Sequence, residues 1–265
     1  MTETILLYPE GASDARGTAP HDQPWIDVYP PFGEEFLGEG ILIFPGGGYA
    51  GLSVQEGEGF AGWFRLLGYH AFVLNYRLGS QGYRHPAMWN DATRALRILR
   101  SRKDEWGLGH FGVIGSSAGG HLAATLLTQW DRGGTKSNET LEQHSSRPDY
   151  GILCYPVISM KEMAHSGSRA NLLGENPSLD LVNSLSAEKR VTPETPPCFI
   201  WHTVDDPVVP VENSLDFASA LRAQGVSFEL HCYEHGAHGL GMKDGHPWTI
   251  PLLPWLRTQK RNLAG

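Results

Sequence analysis

A serine at the centre of a glycine-bounded turn is the most reactive feature of this 265-residue chain. Residues 115–119 read Gly-Ser-Ser-Ala-Gly, and they stand between the apolar run 111–114 and a helix-like stretch over 120–127. A G-x-S-x-G pattern between a strand and a helix is typical of a sharp turn that exposes the central hydroxyl as a nucleophile. Ser117 is therefore the candidate nucleophile, with the positive end of the next helix directed at a developing oxyanion. Taken alone, the pentapeptide would also fit a serine that only caps the helix.

A glycine-rich segment upstream could stabilise that oxyanion. The apolar run 41–44 leads into Pro45 and then into three successive glycines at 46–48. Glycines let bare backbone N–H groups turn towards a ligand oxygen, so Gly47 and Gly48 are candidate donors. A flexible loop with no ligand is the alternative, but the position before the serine turn favours the functional interpretation.

Candidate acids and bases follow two later apolar runs. Asp205 and Asp206 come just after the run 198–202, and a carboxylate there could orient an imidazole. Either aspartate could serve, and the other would then be a turn residue. His235 and His238 follow the run 228–233, and the glycines around His238 suit a loop that bends back towards the serine. The order of glycine loop, serine, acid and histidine is that of a serine hydrolase built on a strand–turn–helix nucleophile.

Short apolar runs that alternate with amphipathic stretches must position these groups. We predict strands at 25–29, 41–44, 71–76, 111–114, 151–155, 198–202 and 228–233, and helices at 86–103, 212–224 and 248–263. The alternation indicates a mainly parallel sheet covered by helices in one α/β domain over 1–265. Residues 156–197 break it, and we expect an insertion there that shapes the substrate pocket.

The composition excludes several other classes of protein. The chain has 40% hydrophobic and 19% charged residues, as in an ordinary globular protein, and its net charge of −8 argues against a nucleic-acid partner. With no apolar run long enough to span a bilayer and no visible secretory signal, we expect a cytoplasmic protein without a membrane partner. Its cysteines, Cys154, Cys198 and Cys232, lie in strand-like segments and favour buried free thiols. No Cys/His cluster has zinc spacing, and neither a metal nor a cofactor is expected.

Five ordered stretches resemble the α/β-hydrolase esterases of the broad hormone-sensitive-lipase-like and acetyl-xylan-esterase-like group. These stretches are 44–49, 75–78, 115–123, 201–210 and 235–239. The resemblance implies a three-layer α/β-hydrolase fold with a mainly parallel central sheet and a small insertion over the active site.

The same resemblance assigns roles to individual residues. It implies Ser117 as the nucleophile, His238 as the base, and Asp206, two positions before Val-Val-Pro, as the acid. The oxyanion donors would be the backbone N–H groups of Ala118 and of Gly47 or Gly48. Many relatives carry histidine before the glycine triplet, where this chain has Pro45. That departure bears on the shape of the loop rather than on the chemistry.

The resemblance also indicates a substrate class. Residues 171–177 and 201–203 look most like the acetyl-xylan-esterase branch. We therefore expect a serine carboxylesterase that removes acetyl groups from carbohydrates such as xylo-oligosaccharides through an acyl-enzyme. Trp25, Trp63 and Trp89 would suit a sugar, although core packing is the commoner role of tryptophan. The alternatives are an aryl formamidase, a small peptidase of the prolyl-oligopeptidase type, and a non-catalytic binding protein with the hydrolase fold.

Overall fold

A central β-sheet organises the computed structural model, which describes residues 3–33, 36–134, 140–161 and 163–264. In these residues the sheet has eight strands, in the order β1-β2-β4-β3-β5-β6-β7-β8. The strands are β1 (Glu3–Leu6), β2 (Trp25–Tyr29), β3 (Glu39–Phe44), β4 (His70–Asn75), β5 (His110–Ser116), β6 (Tyr150–Cys154), β7 (Cys198–Thr203) and β8 (Phe228–Tyr233). β1 and β2 are antiparallel to their neighbours, whereas β3 to β8 run parallel. The predicted mainly parallel sheet is confirmed.

Helices cover both faces of the sheet. They are α1 (Val54–Leu66), α2 (Ala87–Ser101), α3 (Ser117–Thr128), α4 (Ser166–Leu173), α5 (Leu179–Ser184), α6 (Glu212–Ala223) and α7 (Thr249–Ala264). One apolar cluster joins alternate strand residues such as Ile43 to Phe60 of α1 and Leu252 of α7. A second cluster joins the opposite strand face to α2, α3 and α6, through residues such as Leu96 and Phe217. The predicted three-layer α/β architecture is therefore confirmed, and two buried cores hold the sheet between its helices.

The parallel strands bring the candidate site residues to one edge of the sheet. The glycine loop follows β3, Ser117 follows β5, the two aspartates follow β7, and the histidine loop follows β8. Because the carboxyl ends of parallel strands share an edge, segments far apart in sequence become neighbours there. Residues 156–197, which contain α4 and α5, lie between β6 and β7.

One local prediction needs correction. Cys154 and Cys198 are buried as expected, but Cys232 is exposed. Cys232 lies on β8, an edge strand of the sheet, where Glu229 and Cys232 are exposed. The helix predicted at 248–263 is confirmed, since α7 begins at Thr249 and continues through Pro254. In the described part of the chain, no helix combines the length and the apolar character that crossing a membrane requires.

Candidate active site

The turn between β5 and α3 presents Ser117 in a left-handed conformation, with φ of 53°. Its two bounding glycines are required by close backbone approach. A Cβ on Gly115 would lie 2.2 Å from the carbonyl oxygen of Gly119, and a Cβ on Gly119 would lie 2.1 Å from the carbonyl oxygen of Phe44. Any side chain at either position would force these segments apart. The positive φ of a non-glycine residue is a strained conformation of the kind that persists at functional sites.

Ser117, His238 and Asp206 form one continuous line of hydrogen bonds. His238 Nε2 lies 2.9 Å from Ser117 Oγ, and His238 Nδ1 lies 2.6 Å from Asp206 Oδ2. An ionised carboxylate can only accept, so the proton of the neutral imidazole lies on Nδ1. Nε2 is then left with a free lone pair that faces the serine hydroxyl.

The surroundings of Asp206 keep its carboxylate ionised. Burial of the side chain opposes ionisation, but hydrogen bonds from His202, His238 and the backbone amides of Val208 and Val209 outweigh that effect and lower the pKa of Asp206. The two valine amides lie 2.8 and 3.0 Å from Oδ1, which leaves Oδ2 for the histidines. Asp206 can therefore hold the Nδ1 proton of His238 at neutral pH.

The structure separates Asp205 from this line. Asp205 Oδ2 lies 2.9 Å from Nδ1 of His235, and Oδ1 accepts from the amide of Gly236 at 2.8 Å. Both side chains of this second pair are at least half exposed. Asp206 is thus the aspartate that contacts His238, while Asp205 helps to shape the loop that carries it.

A second histidine, His202, also touches Asp206. It is fully buried in β7, and its Nε2 lies 3.4 Å from Asp206 Oδ2 and 2.9 Å from the carbonyl oxygen of Val209. His121 is buried between the hydroxyl of Tyr49 and the carbonyl of Leu185, and it serves packing.

The glycine loop lies directly beside the serine. A Cβ on Gly46 would lie 3.1 Å from Ser117 Cβ. Gly47 and Gly48 have φ of 130° and 64°, conformations that favour glycine. Within the described residues, the amides of Gly47 and Gly48 donate to no protein acceptor, so they remain free for a ligand oxygen. The amide of Ala118 lies in the first turn of α3, where a helix leaves N–H groups without intrahelical partners.

Three hydrogen bonds fix the shape of this loop. Tyr76 Oη donates to the carbonyl of Pro45 at 2.6 Å, the amide of Gly46 donates to Glu56 at 2.8 Å, and Asn171 Nδ2 donates to the carbonyl of Gly48 at 2.9 Å. Pro45 accepts one of these hydrogen bonds, so its position in the loop is fixed. The third bond comes from α4, so the segment 156–197 packs against the glycine loop.

Three residues near the site were missed by sequence reasoning: Glu56, Tyr155 and His165. Tyr155 packs edge-on against His238, with ring centroids 5.1 Å apart. His165 is half-buried, and burial followed by repulsion from His238 lowers its pKa. A useful signal existed for Tyr155 alone, because it directly follows β6 at the same sheet edge as the other site residues.

The described side chains include no cluster of three or more His, Cys, Asp and Glu residues that could hold a metal ion.

The mainly parallel sheet and the serine turn at its carboxyl edge define the class of the protein as an α/β-hydrolase. Residues 26–221 match the model of the BD-FAE family. The chain belongs to this family.

Individual relatives agree with this assignment. The solved structure of an acetyl ester-xyloside bifunctional hydrolase from Caldicellulosiruptor lactoaceticus is 43% identical with a TM-score of 0.89, over 97% of this chain and 96% of that one. An acetylxylan esterase of Xylanibacter ruminicola is 35% identical over 83% of this chain. An endo-1,4-beta-xylanase B of Butyrivibrio fibrisolvens is 38% identical over 76% of it. The chain spans 46% of that esterase and 32% of that xylanase.

Proposed function

We propose that this protein is a serine esterase that removes acetyl groups from carbohydrates of the xylo-oligosaccharide type. The observation that carries the proposal is the hydrogen-bonded line from Ser117 through His238 to Asp206, with free glycine amides beside the serine. This arrangement supplies a nucleophile, a base, an orienting carboxylate and donors for an oxyanion, which are the parts that acyl transfer needs.

In the first half of the reaction, Ser117 attacks the acetyl carbonyl while His238 Nε2 takes the hydroxyl proton. A bond forms between Oγ and the carbonyl carbon, and the carbonyl π electrons move to oxygen. The amides of Ala118 and of Gly47 or Gly48 stabilise that oxyanion, and Asp206 stabilises the imidazolium. When the intermediate collapses, the bond to the sugar oxygen breaks, and His238 returns the proton to it as the alcohol leaves.

In the second half, water repeats the sequence on the acetyl-enzyme. His238 takes a proton from the attacking water, acetate leaves, and Ser117 recovers its proton. Each step uses groups of this chain and needs no added electrons. Loss of one oxyanion donor would raise the barrier by about 3 kcal/mol, so both the serine turn and the glycine loop are required.

A cavity near the glycine loop supports a sugar as the alcohol part. It has a volume of about 240 Å³, and Trp25, Leu52 and Asn75 are among its lining residues. Trp25 pairs with Asn75 at the carboxyl end of β4, so the cavity lies at the same sheet edge as Ser117. β2, which carries Trp25, lies three strand spacings from β5, or roughly 14 Å. The half-buried ring of Trp25 could pack against the apolar face of a distal sugar ring. The exposed Gln23 and Gln81 could bind the hydroxyls of that ring.

The other tryptophans offer less support. Trp63 packs against Phe64 and Trp248, and core packing is the commoner role of tryptophan. We further propose that residues 156–197 form part of the wall of the acyl pocket, because His165 and Ser168 lie 3.8 and 3.9 Å from the position of a Cβ on Gly48.

The decisive experiment compares two adjacent serines. Ser117→Ala should abolish acetate release from p-nitrophenyl acetate and from acetylated xylo-oligosaccharides. Ser116→Ala is the matched control, because it makes the same change at the neighbouring residue. Ser116 is buried, and its Oγ has no protein partner in the described residues. It should retain activity. Full activity of Ser117→Ala would refute the proposal.

The competing activities need their own substrates. Turnover of N-formylkynurenine in preference to acetyl esters would favour an aryl formamidase, and cleavage of prolyl peptides would favour a peptidase. Binding of acetylated sugar without turnover would favour a non-catalytic binding protein. We expect acetate release to exceed the first two activities.

A further inference from the structure

Glu56 is a buried carboxylate that the proposed reaction does not use. It lies in the first turn of α1, and only 4% of its surface is exposed. The sequence Ser53-Val54-Gln55-Glu56 is a capping-box pattern, in which the glutamate would turn back to the amide of Ser53. The amide of Ser53 instead donates to the carbonyl of Gly46, and the Glu56 side chain points elsewhere. A buried carboxylate diverted from its local partner needs another explanation.

The two carboxylate oxygens of Glu56 bind two different loops of the site. Oε2 accepts from the backbone amide of Gly46 at 2.8 Å, and Oε1 accepts from the hydroxyl of Tyr155 at 2.8 Å. A Cβ on Gly46 would lie 2.5 Å from Glu56 Oε2 and 3.1 Å from Ser117 Cβ. Gly46 is therefore held between the carboxylate and the nucleophile, and the amides of the glycine loop follow directly after it.

Tyr155 connects Glu56 to the loop after β8, which carries His238 and Gly241. Its hydroxyl accepts from the amide of Gly241 at 2.9 Å, and its ring packs edge-on against His238. One donated and one accepted hydrogen bond match the capacity of a phenol. Burial, with the nearby Glu56 charge, raises the pKa of Tyr155 well above its ordinary value, so the hydroxyl keeps the proton that it donates. Tyr155 has φ of 36°, a conformation that surrounding contacts must maintain.

We propose that Glu56 and Tyr155 are positioning residues that fix the glycine loop relative to the His238 loop, through the chain of hydrogen bonds Gly46–Glu56–Tyr155–Gly241. The line from Ser117 to Asp206 sets the proton path, while this second line sets where the oxyanion donors stand with respect to that path. Misplacement of reacting groups by about 1 Å can cost about 100-fold in rate, so a link between the two loops would act on kcat. The kinetic part of this inference rests on the proposed esterase activity.

The test uses Glu56→Gln, Tyr155→Phe and the double variant. Gln at 56 can place its oxygen at only one of the two positions, so either the amide of Gly46 or the hydroxyl of Tyr155 must face an NH2 donor instead of an acceptor. Phe at 155 keeps the ring against His238 but removes both bonds of the hydroxyl. With p-nitrophenyl acetate, we expect each single variant to lose roughly 10- to 100-fold in kcat, with KM within about twofold, because an oxyanion donor is displaced without loss of substrate binding.

Two matched controls isolate the position from the chemistry. Glu58→Gln makes the same change at an exposed site of α1. Tyr150→Phe is the control for Tyr155→Phe, because it removes a hydroxyl from an equally buried tyrosine at the other end of β6. Both controls should keep wild-type kcat. Because the two positioning residues act in series, the double variant should be no slower than the slower single variant. Independent effects would instead multiply.

Hydrogen–deuterium exchange provides a readout that does not depend on turnover. Both test variants should speed amide exchange in residues 45–53 and 236–242 together, while exchange in the core strands stays unchanged. The positioning role would be overturned if the kcat losses of the two single variants multiplied in the double variant, or if only KM changed. Unchanged amide exchange in either loop would also overturn it. A wild-type protein without esterase activity would refute the proposed function instead, and the exchange experiment would still decide whether the two loops are linked.

Discussion

Asp206→Asn replaces one carboxylate oxygen with an NH2 group at the end of the Ser117–His238–Asp206 line. In Asn, the side-chain oxygen would stay with the amides of Val208 and Val209, which now bind Oδ1 at 2.8 and 3.0 Å. The NH2 group would then take the place of Oδ2 and face Nδ1 of His238, which now lies 2.6 Å away. Two donors cannot share that bond, so the histidine proton should move to Nε2.

In that tautomer His238 cannot accept the Ser117 proton. We therefore expect kcat to fall by about 10⁴-fold, which is roughly 5.4 kcal/mol of barrier at 1.36 kcal/mol per tenfold. The assay is steady-state hydrolysis of p-nitrophenyl acetate, with thermal unfolding to show that the variant is folded. Asp205→Asn is the matched control, because Asp205 contacts His235 and Gly236 instead of His238. A folded Asp206→Asn enzyme within tenfold of wild type, or a slower Asp205→Asn enzyme, would refute the predicted change of tautomer.

Further outcomes follow from the loop, the cavity and the core. Gly47→Ala should lower kcat about 100-fold, since its Cβ would lie 2.3 Å from the carbonyl oxygen of Gly51, whereas Gly51→Ala has open space and should stay active; equal rates would contradict the oxyanion assignment. Trp25→Ala should raise KM for acetylated xylo-oligosaccharides about fivefold and leave p-nitrophenyl acetate unaffected, and an unchanged KM would remove the cavity from sugar binding. Burial lowers the pKa of His121 from 6.5 to about 4, so the stability due to its neutral form is complete above pH 6.5 and declines as the pH falls towards 4. At 1.36 kcal/mol per pKa unit, this decline is worth up to about 3 kcal/mol in the free energy of unfolding. Urea unfolding of wild type and His121→Gln at pH 7 and pH 4.5 should show a flatter pH dependence in the variant, and parallel curves would exclude His121 as the cause.

The sequence alone was sufficient for seven of the eight described strands and for the place of Ser117 at the centre of its turn, but it did not reveal β1. The strand candidate 41–44 is a continuous apolar run, and the structure places a strand at Glu39–Phe44. The glycines at 115 and 119 mark a turn without room for side chains, and this is a local property that the sequence displays directly. Periodicity and glycine placement are short-range signals, so they can be recognised without knowledge of the fold.

The exposure of Cys232 was beyond that information. Cys232 stands in a strand-like segment, but the position of β8 at the sheet edge leaves Glu229 and Cys232 exposed. Strand order is a long-range property, and a buried and an edge strand can have similar compositions.

The contacts within the site also required the tertiary structure. Asp205 and Asp206 are adjacent and chemically identical, and spacing from β7 could not distinguish them; the backbone turn into Val208 and Val209 directs one carboxylate inwards and the other to the surface. Glu56 had the sequence signature of a local helix cap, yet its carboxylate binds a loop from β3 and a tyrosine from β6. The sequence determined which chemical groups arrive at the carboxyl edge of the sheet, because that depends on local elements and their order. Only the tertiary structure decided which of those groups touch, because hydrogen-bond partners depend on strand adjacency and on the direction in which each side chain leaves its loop.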